Sequence, residues 1–176
     1  MKGLPYDPDG FLAEFKRLVP EADSIVVEYL EEAVRAFNAA CYKSAAVMLG
    51  AASEKMTLTL YDKFEQSITD TSKRTKFAKD SDVISASRKF DALKERLDLM
   101  DRAKKFKDHH ELRGTIRHDL PSVSELVRRC RNDAGHPDIP TQTDPDTVFL
   151  TLRVFAEHAR KVYALLRYFD TNAADW

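Results

Sequence analysis

An arginine and a histidine separated by four residues, Arg131 and His136, are the pair in this chain best suited to chemistry on a phosphate group. A guanidinium presents a planar fork of N–H donors that matches the oxygens of a phosphate. An imidazole has a reference pKa of about 6.5 and can therefore accept and return a proton near neutral pH. The pair combines phosphate recognition with acid–base chemistry, provided that both side chains face one cleft.

The sequence around the pair predicts that it lies across the end of a helix. On an unbroken helix Arg131 and His136 would point about 140° apart, because each residue turns the chain by about 100°. Gly135 stands where a helix C′ residue belongs and Pro137 bars continuation, so we expect the helix to end between the two side chains and bring both to one rim. The apolar stripe of this helix consists of Val123, Leu126, Val127, Cys130 and Ala134.

The same spacing of arginine and histidine occurs twice more, so the spacing alone indicates little. One of these pairs is Arg113 and His118, where Arg113 is followed at once by Gly114 in a polar stretch that is expected to be irregular. Arg153 and His158 lie inside a predicted helix without a break. The position at a helix end is what distinguishes the pair at 131 and 136.

The composition predicts one globular domain over residues 1–176. Of the 176 residues, 43% are hydrophobic and 32% are charged, and the net charge is −1. This balance argues against a protein coated in nucleic acid by bulk electrostatics. No apolar run approaches the roughly 20 residues of a membrane span, and prolines and aspartates at 5–9 interrupt any signal-peptide core. We therefore expect a cytoplasmic protein without a membrane partner.

No cofactor or metal is predicted. Cys41 and Cys130 are the only cysteines and lack the spacing of a zinc site or a disulfide framework, which favours a reducing compartment. His109 and His110 are adjacent, but no cysteine or carboxylate cluster completes a metal site around them. The sequence also contains neither a glycine-rich phosphate loop nor a GxSxG elbow.

Helical periodicity dominates the chain. Residues 1–20 read as a lead-in with one short amphipathic helix, and a first long helix follows with Asp23 or Ser24 as its N-cap. Residues 38–41 are predicted to form a tight connection to an alanine-rich second helix. Its small residues permit close helix approach, namely Ala45, Ala46, Gly50, Ala51 and Ala52. Glu54 on that helix is interpreted either as a solvated or N-cap-like partner or as a support for an arginine at the functional rim.

The second half contains three further predicted helices. Residues 66–81 are rich in serine, threonine, lysine and aspartate and are interpreted as a flexible connection. A long helix is predicted over 82–106, and the segment 107–120 is polar. A short helix that starts at Pro121 contains Arg131. A final amphipathic helix is predicted with Thr143 or Asp144 as its N-cap and Pro145 in its first turn.

Two stretches of the chain resemble the HEPN domain family. One is the alanine-rich run from Ala39 through Glu54, and the other is Arg131-Asn132-Asp133-Ala134-Gly135-His136 before a final helix. The resemblance covers roughly residues 21–65 and 121–170. It implies an all-α fold, an antiparallel up-down four-helix bundle, with the long helix at 82–106 as an insertion between the second and third bundle helices.

The resemblance also implies a function, namely metal-independent endoribonuclease activity of a toxin or antiphage effector that works as a homodimer. Arg131 and His136 would be catalytic, and Asn132 would orient the phosphate or fix the imidazole. An RNA 2′-OH would attack the adjacent phosphate and leave a 2′,3′-cyclic phosphate. A two-fold dimer would supply an acid and a base at one composite site. An antitoxin or another regulatory protein is a further possible partner.

Two other interpretations stay open at the level of sequence. The first is a non-catalytic HEPN-like module that binds a nucleotide, RNA or a partner protein, because fold does not fix function. The second is a structural helical bundle in which Arg131 and His136 only stabilise a helix C-terminus through its dipole.

Overall fold

A computed structural model describes residues 3–80, 86–135 and 143–176, and this part of the chain is helical without any strand. The all-α prediction is therefore confirmed for the described residues. The helices are α1 (Pro8–Leu18), α2 (Ser24–Asn38), α3 (Tyr42–Gln66), α4 (Thr71–Asp80), α5 (Ala86–Arg102), α6 (His110–Gly114), a π-helical turn (Thr115–Asp119), α7 (Leu120–Gly135) and α8 (Pro145–Thr171).

The chain divides into two compact units. The first comprises Met1–Met56 and Ser122–Arg160, and the second comprises Thr57–Pro121 and Lys161–Trp176. Helices α3 and α8 each contribute residues to both units, so the division falls inside continuous helices. The prediction of one domain over residues 1–176 stays a prediction.

In the first unit, aspartate side chains start the helices as the sequence predicted. Asp23 caps α2 by accepting a hydrogen bond from the backbone N–H of Ile25, and Asp144 caps α8 by accepting one from Thr147 at 2.9 Å. The bond from Ile25 lowers the pKa of Asp23. Hydrogen bonds from the hydroxyl and then the backbone N–H of Thr147 lower the pKa of Asp144, since each favours the charged form. The lead-in helix also forms as predicted, and its Phe15 stacks on Phe155 of α8 in the core.

The connection between α2 and α3 is a tight helix-ending turn built on Ala40. Ala40 has a φ of 57°, and the N–H of Cys41 donates to the carbonyl of Ala36 at 2.8 Å. This is the Schellman arrangement, in which glycine usually occupies the left-handed position. The predicted tight connection is therefore present. Its left-handed position is occupied by Ala40, although this backbone conformation is unfavourable for alanine.

In the second unit, the segment interpreted as a flexible connection contains α4. Asp70 starts this helix by accepting hydrogen bonds from the N–H groups of Ser72 and Lys73. Phe77 is fully buried and its ring packs on those of Tyr61 and Phe64. Most other residues of α4 are polar, which is why composition alone indicated a connection.

The long helix predicted over 82–106 is shorter in the structure. Residues 81–85 lie outside the described part, and α5 ends at Arg102. Lys104 adopts a left-handed φ of 59°, and the N–H of Lys105 donates to the carbonyl of Met100, which closes the helix. The polar stretch after it is helical rather than irregular, because α6 runs through the π-helical turn into α7.

No helix in the described residues is both long enough and apolar enough to cross a membrane.

Candidate functional site

Arg131 is held by an ion pair with Glu54 inside the first unit. The Nη1 of Arg131 lies 3.0 Å from Oε1 of Glu54, which joins the last turns of α7 to the middle of α3. The side chains are 40% and 42% exposed, so solvent reaches both. The contact is the one expected if Glu54 supports an arginine at a functional rim. It fixes one edge of the guanidinium while the side chain stays accessible to a ligand.

Gly50 makes room for Arg131 on the surface of α3. A Cβ added at Gly50 would lie 2.5 Å from Cγ and 2.7 Å from Cβ of Arg131, closer than such atoms approach in proteins. The aliphatic stem of the arginine therefore packs directly on the backbone of α3 one turn before Glu54. The sequence predicted close helix approach along the small residues of α3 without singling out Gly50, and at Gly50 the group that approaches is Arg131.

Two more arginines precede Arg131 on α7. Arg128 donates to both carboxylate oxygens of Glu125, at 2.8 and 2.9 Å, and Arg129 donates to the same carboxylate at 2.6 Å. These hydrogen bonds lower the pKa of Glu125 to about 2. Two cations share one anion here, so this stretch of α7 carries surplus positive charge that favours a polyanionic ligand.

The other two predicted catalytic residues are Asn132 and His136. Asn132 is exposed and follows Arg131 directly on α7. His136 lies outside the described residues, which resume at residue 143. Helix α7 includes Gly135, whereas the sequence predicted this residue as the left-handed C′ position beyond the helix end. The geometry between Arg131 and His136 stays a prediction.

Both alternative arginine–histidine pairs lie within helical segments. His158 is 2% exposed on α8, in the core of the first unit. Arg113 does not lead into an irregular loop, since it belongs to a helical segment. No group of three or more histidine, cysteine, aspartate or glutamate side chains in the described ranges could hold a metal ion.

The sequence did not reveal an arginine pair in the second unit. Arg113 and Arg117 both donate through Nε to the buried carboxylate of Asp101, at 3.0 and 2.6 Å. The basic residues around 102–107 and the four-residue spacing of the two arginines were visible in the sequence. Nothing in the sequence, however, indicated that α5 and the π-helical turn meet at Asp101.

Comparison of the chain with protein-family models, with curated proteins and with solved structures finds no match in any of the three. The resemblance to the HEPN family therefore rests on the residues quoted for it.

Proposed function

We propose that this chain is a metal-independent endoribonuclease of HEPN type, acting on RNA at a site built around Arg131, His136 and Asn132. The observation that carries the proposal is the anchoring of Arg131 by Glu54 over the backbone of Gly50. Gly50 and Glu54 of the alanine-rich helix both contact Arg131 of α7. A stretch and a motif that the sequence linked only by resemblance are thus in direct contact.

The chemistry follows from the residue types. Arg131 binds a non-bridging phosphate oxygen and stabilises the charge that develops there in the transition state. His136 accepts the proton of the RNA 2′-OH as its oxygen attacks phosphorus. The bond to the 5′-oxygen breaks, and that oxygen takes a proton from a general acid. The products are a 2′,3′-cyclic phosphate and a 5′-hydroxyl.

A homodimer completes this site. One motif supplies one imidazole, whereas the reaction uses a base and an acid on opposite sides of phosphorus. A two-fold axis that brings two motifs together supplies both imidazoles and two arginines. The proposal therefore includes an antiparallel four-helix HEPN bundle that pairs with a second copy. It also includes a cytoplasmic role as a toxin or defence effector under the control of a regulatory protein.

The experiment is an RNA cleavage assay with the wild type, Arg131→Ala and His136→Ala, each checked for folding by circular dichroism. We expect cleavage by the wild type and its loss in both folded variants. Undiminished cleavage in either variant would overturn the assignment of that residue. RNA binding without any cleavage would instead indicate a non-catalytic binding module. Light scattering of the same samples tests the dimer, which a strict monomer would contradict.

A further inference from the structure

In the second unit, Arg113 and Arg117 both donate hydrogen bonds to the carboxylate of Asp101. The Asp101 side chain is 5% exposed, whereas those of Arg113 and Arg117 are 34% and 49% exposed. Each arginine reaches a different oxygen of the carboxylate through its Nε. One buried anion thus orients two guanidinium groups that both extend into solvent.

This arrangement leaves the phosphate-binding edges of both arginines available. The Nε atoms make the contacts with Asp101, and within the described ranges no partner is recorded for the Nη atoms of Arg113 or Arg117. A guanidinium binds phosphate through such paired N–H groups. Because Asp101 already restrains both side chains, less conformational entropy is lost when a ligand binds.

The surrounding segment is strongly basic although the chain as a whole is not. Residues 101–118 contain six lysines and arginines against three carboxylates, while the whole chain has a net charge of −1. Four of these cations are exposed and have no ion pair recorded with any described residue, namely Arg102, Lys104, Lys105 and Lys107. The surplus positive charge favours a ligand with several phosphates.

An aromatic pair accompanies these cations. The exposed ring of His109 packs edge-on against Tyr168, with ring centroids 5.1 Å apart, and Tyr168 also contacts the buried Phe106. The carbonyl of His109 accepts a hydrogen bond from the backbone N–H of Arg113. His109 therefore lies one helical turn from Arg113. Rings beside cations are typical of surfaces that bind single-stranded nucleic acid, where bases stack on the rings.

The backbone at this position is itself unusual. Arg117 lies in the π-helical turn Thr115–Asp119, in which the N–H of Leu120 donates to the carbonyl of Thr115. Single π-helical turns are rare and occur frequently at functional sites. The turn follows α6 directly, and it carries Arg117 to the same carboxylate that Arg113 reaches from α6.

We propose that Arg113, Arg117 and His109 form a binding surface for single-stranded RNA in the second unit, separate from Arg131 and His136. The two arginines bind backbone phosphates through their Nη groups, and His109 with Tyr168 stacks on a base. The surface needs no cleavage chemistry, so it goes beyond the proposed nuclease and stands if that proposal fails.

The test is fluorescence anisotropy with a labelled single-stranded 2′-O-methyl RNA, which has no 2′-OH nucleophile and so cannot be cut. Binding is measured for the full chain over a series of KCl concentrations. Arg117→Gln leaves Arg113 on Asp101 and should weaken binding by about five- to ten-fold. It should also reduce the slope of log K against log salt by about 0.7, the value for one phosphate contact on a single strand.

Matched variants separate binding from structure. Arg35→Gln removes the same charge from an exposed ion pair with Glu32 in the first unit and should change affinity by less than about two-fold. His109→Ala removes an exposed ring and should weaken binding by about five-fold or more. If Arg117→Gln lowers the melting temperature, the triple variant D101N/R113Q/R117Q replaces the network with neutral groups and should still bind at least five-fold more weakly than the wild type.

The proposal is overturned if the wild type does not bind the RNA, or if neither Arg117→Gln nor His109→Ala weakens binding beyond the Arg35→Gln control. Binding to vesicles of anionic phospholipid that the RNA does not compete away would overturn it in favour of a membrane surface. Cleavage activity is scored separately with Arg131→Ala, so failure of the nuclease proposal and failure of this one are distinguishable.

Discussion

The stem of Arg131 lies so close to the backbone of Gly50 that a Cβ at position 50 would stand 2.5 Å from its Cγ. The guanidinium of Arg131 forms an ion pair with Glu54, which lies one turn after Gly50 on α3. Helix α3 thus provides both the space and the anion that set the position of one arginine. This relationship is the structural basis of the proposed active site.

Gly50→Ala should destabilise the protein although alanine is the better helix former. The added methyl group would lie 2.7 Å from Cβ of Arg131, which is bonded to the α7 backbone and does not move when the side chain rotates. We expect a loss of about 1–3 kcal/mol, typical of overpacking, and reduced RNA cleavage. Gly114→Ala is the matched control, since nothing lies within 4 Å of its added Cβ. It should stabilise the protein by up to about 1 kcal/mol, and urea unfolding measures both. Equal effects at the two positions would contradict the packing described.

Glu54→Ala should separate positioning from stability. The ion pair with Arg131 is about 40% exposed on each side, so its removal should change the free energy of unfolding by less than about 1 kcal/mol. Cleavage should nevertheless fall clearly, because Arg131 loses the group that orients it. Glu32→Ala breaks a comparable exposed pair with Arg35 and should leave cleavage unchanged. Full activity of Glu54→Ala would show that Arg131 needs no support from α3.

Ala40→Gly should stabilise the protein. Ala40 has a φ of 57°, a conformation that costs an L-residue about 1–2 kcal/mol and a glycine almost nothing. After the larger backbone entropy of glycine in the unfolded chain is included, we expect a gain of about 1 kcal/mol. Ala39→Gly, at a φ of −85°, should instead be neutral or destabilising. Thermal unfolding of the two variants provides the comparison, and a loss of stability in Ala40→Gly would refute it.

Asp23→Asn should lose stability in a pH-dependent way. The hydrogen bond from Ile25, followed by the interaction with Lys55, lowers the pKa of Asp23 below its usual value of 3.8. Because the pKa is lower in the folded than in the unfolded chain, the stabilisation is complete well above pH 3.8 and is lost as the pH falls through the folded-state value. The difference between wild type and variant should therefore shrink on acidification. Urea unfolding at several pH values measures it, with the exposed Glu28→Gln as charge control. A difference that stays constant with pH would argue against the cap as its source.

The sequence was sufficient where local rules decide the structure. The caps at Asp23 and Asp144 and the turn at residues 38–41 are set by neighbouring residues, and all are present. The sequence was insufficient where the structure depends on a contact between residues that are far apart in the chain. The buried ring of Phe77 on α4 packs on Tyr61 and Phe64 of α3, and composition cannot show such packing.

The same distinction applies to the candidate site. The type and helical position of Arg131 could be read from its neighbours, and Glu54 was singled out as a possible support. The role of Gly50 and the convergence of Arg113 and Arg117 on Asp101 depend on how helices pack, which residue spacing does not encode.

Analysis of the 3′ ends that the purified protein leaves on RNA in the presence of EDTA tests whether Arg131 and His136 cleave RNA without a metal ion. We predict fragments that end in a 2′,3′-cyclic phosphate by mass spectrometry, and their absence with folded Arg131→Ala and with folded His136→Ala. Intact RNA with the wild type, or cyclic ends that persist in both variants, would contradict the account.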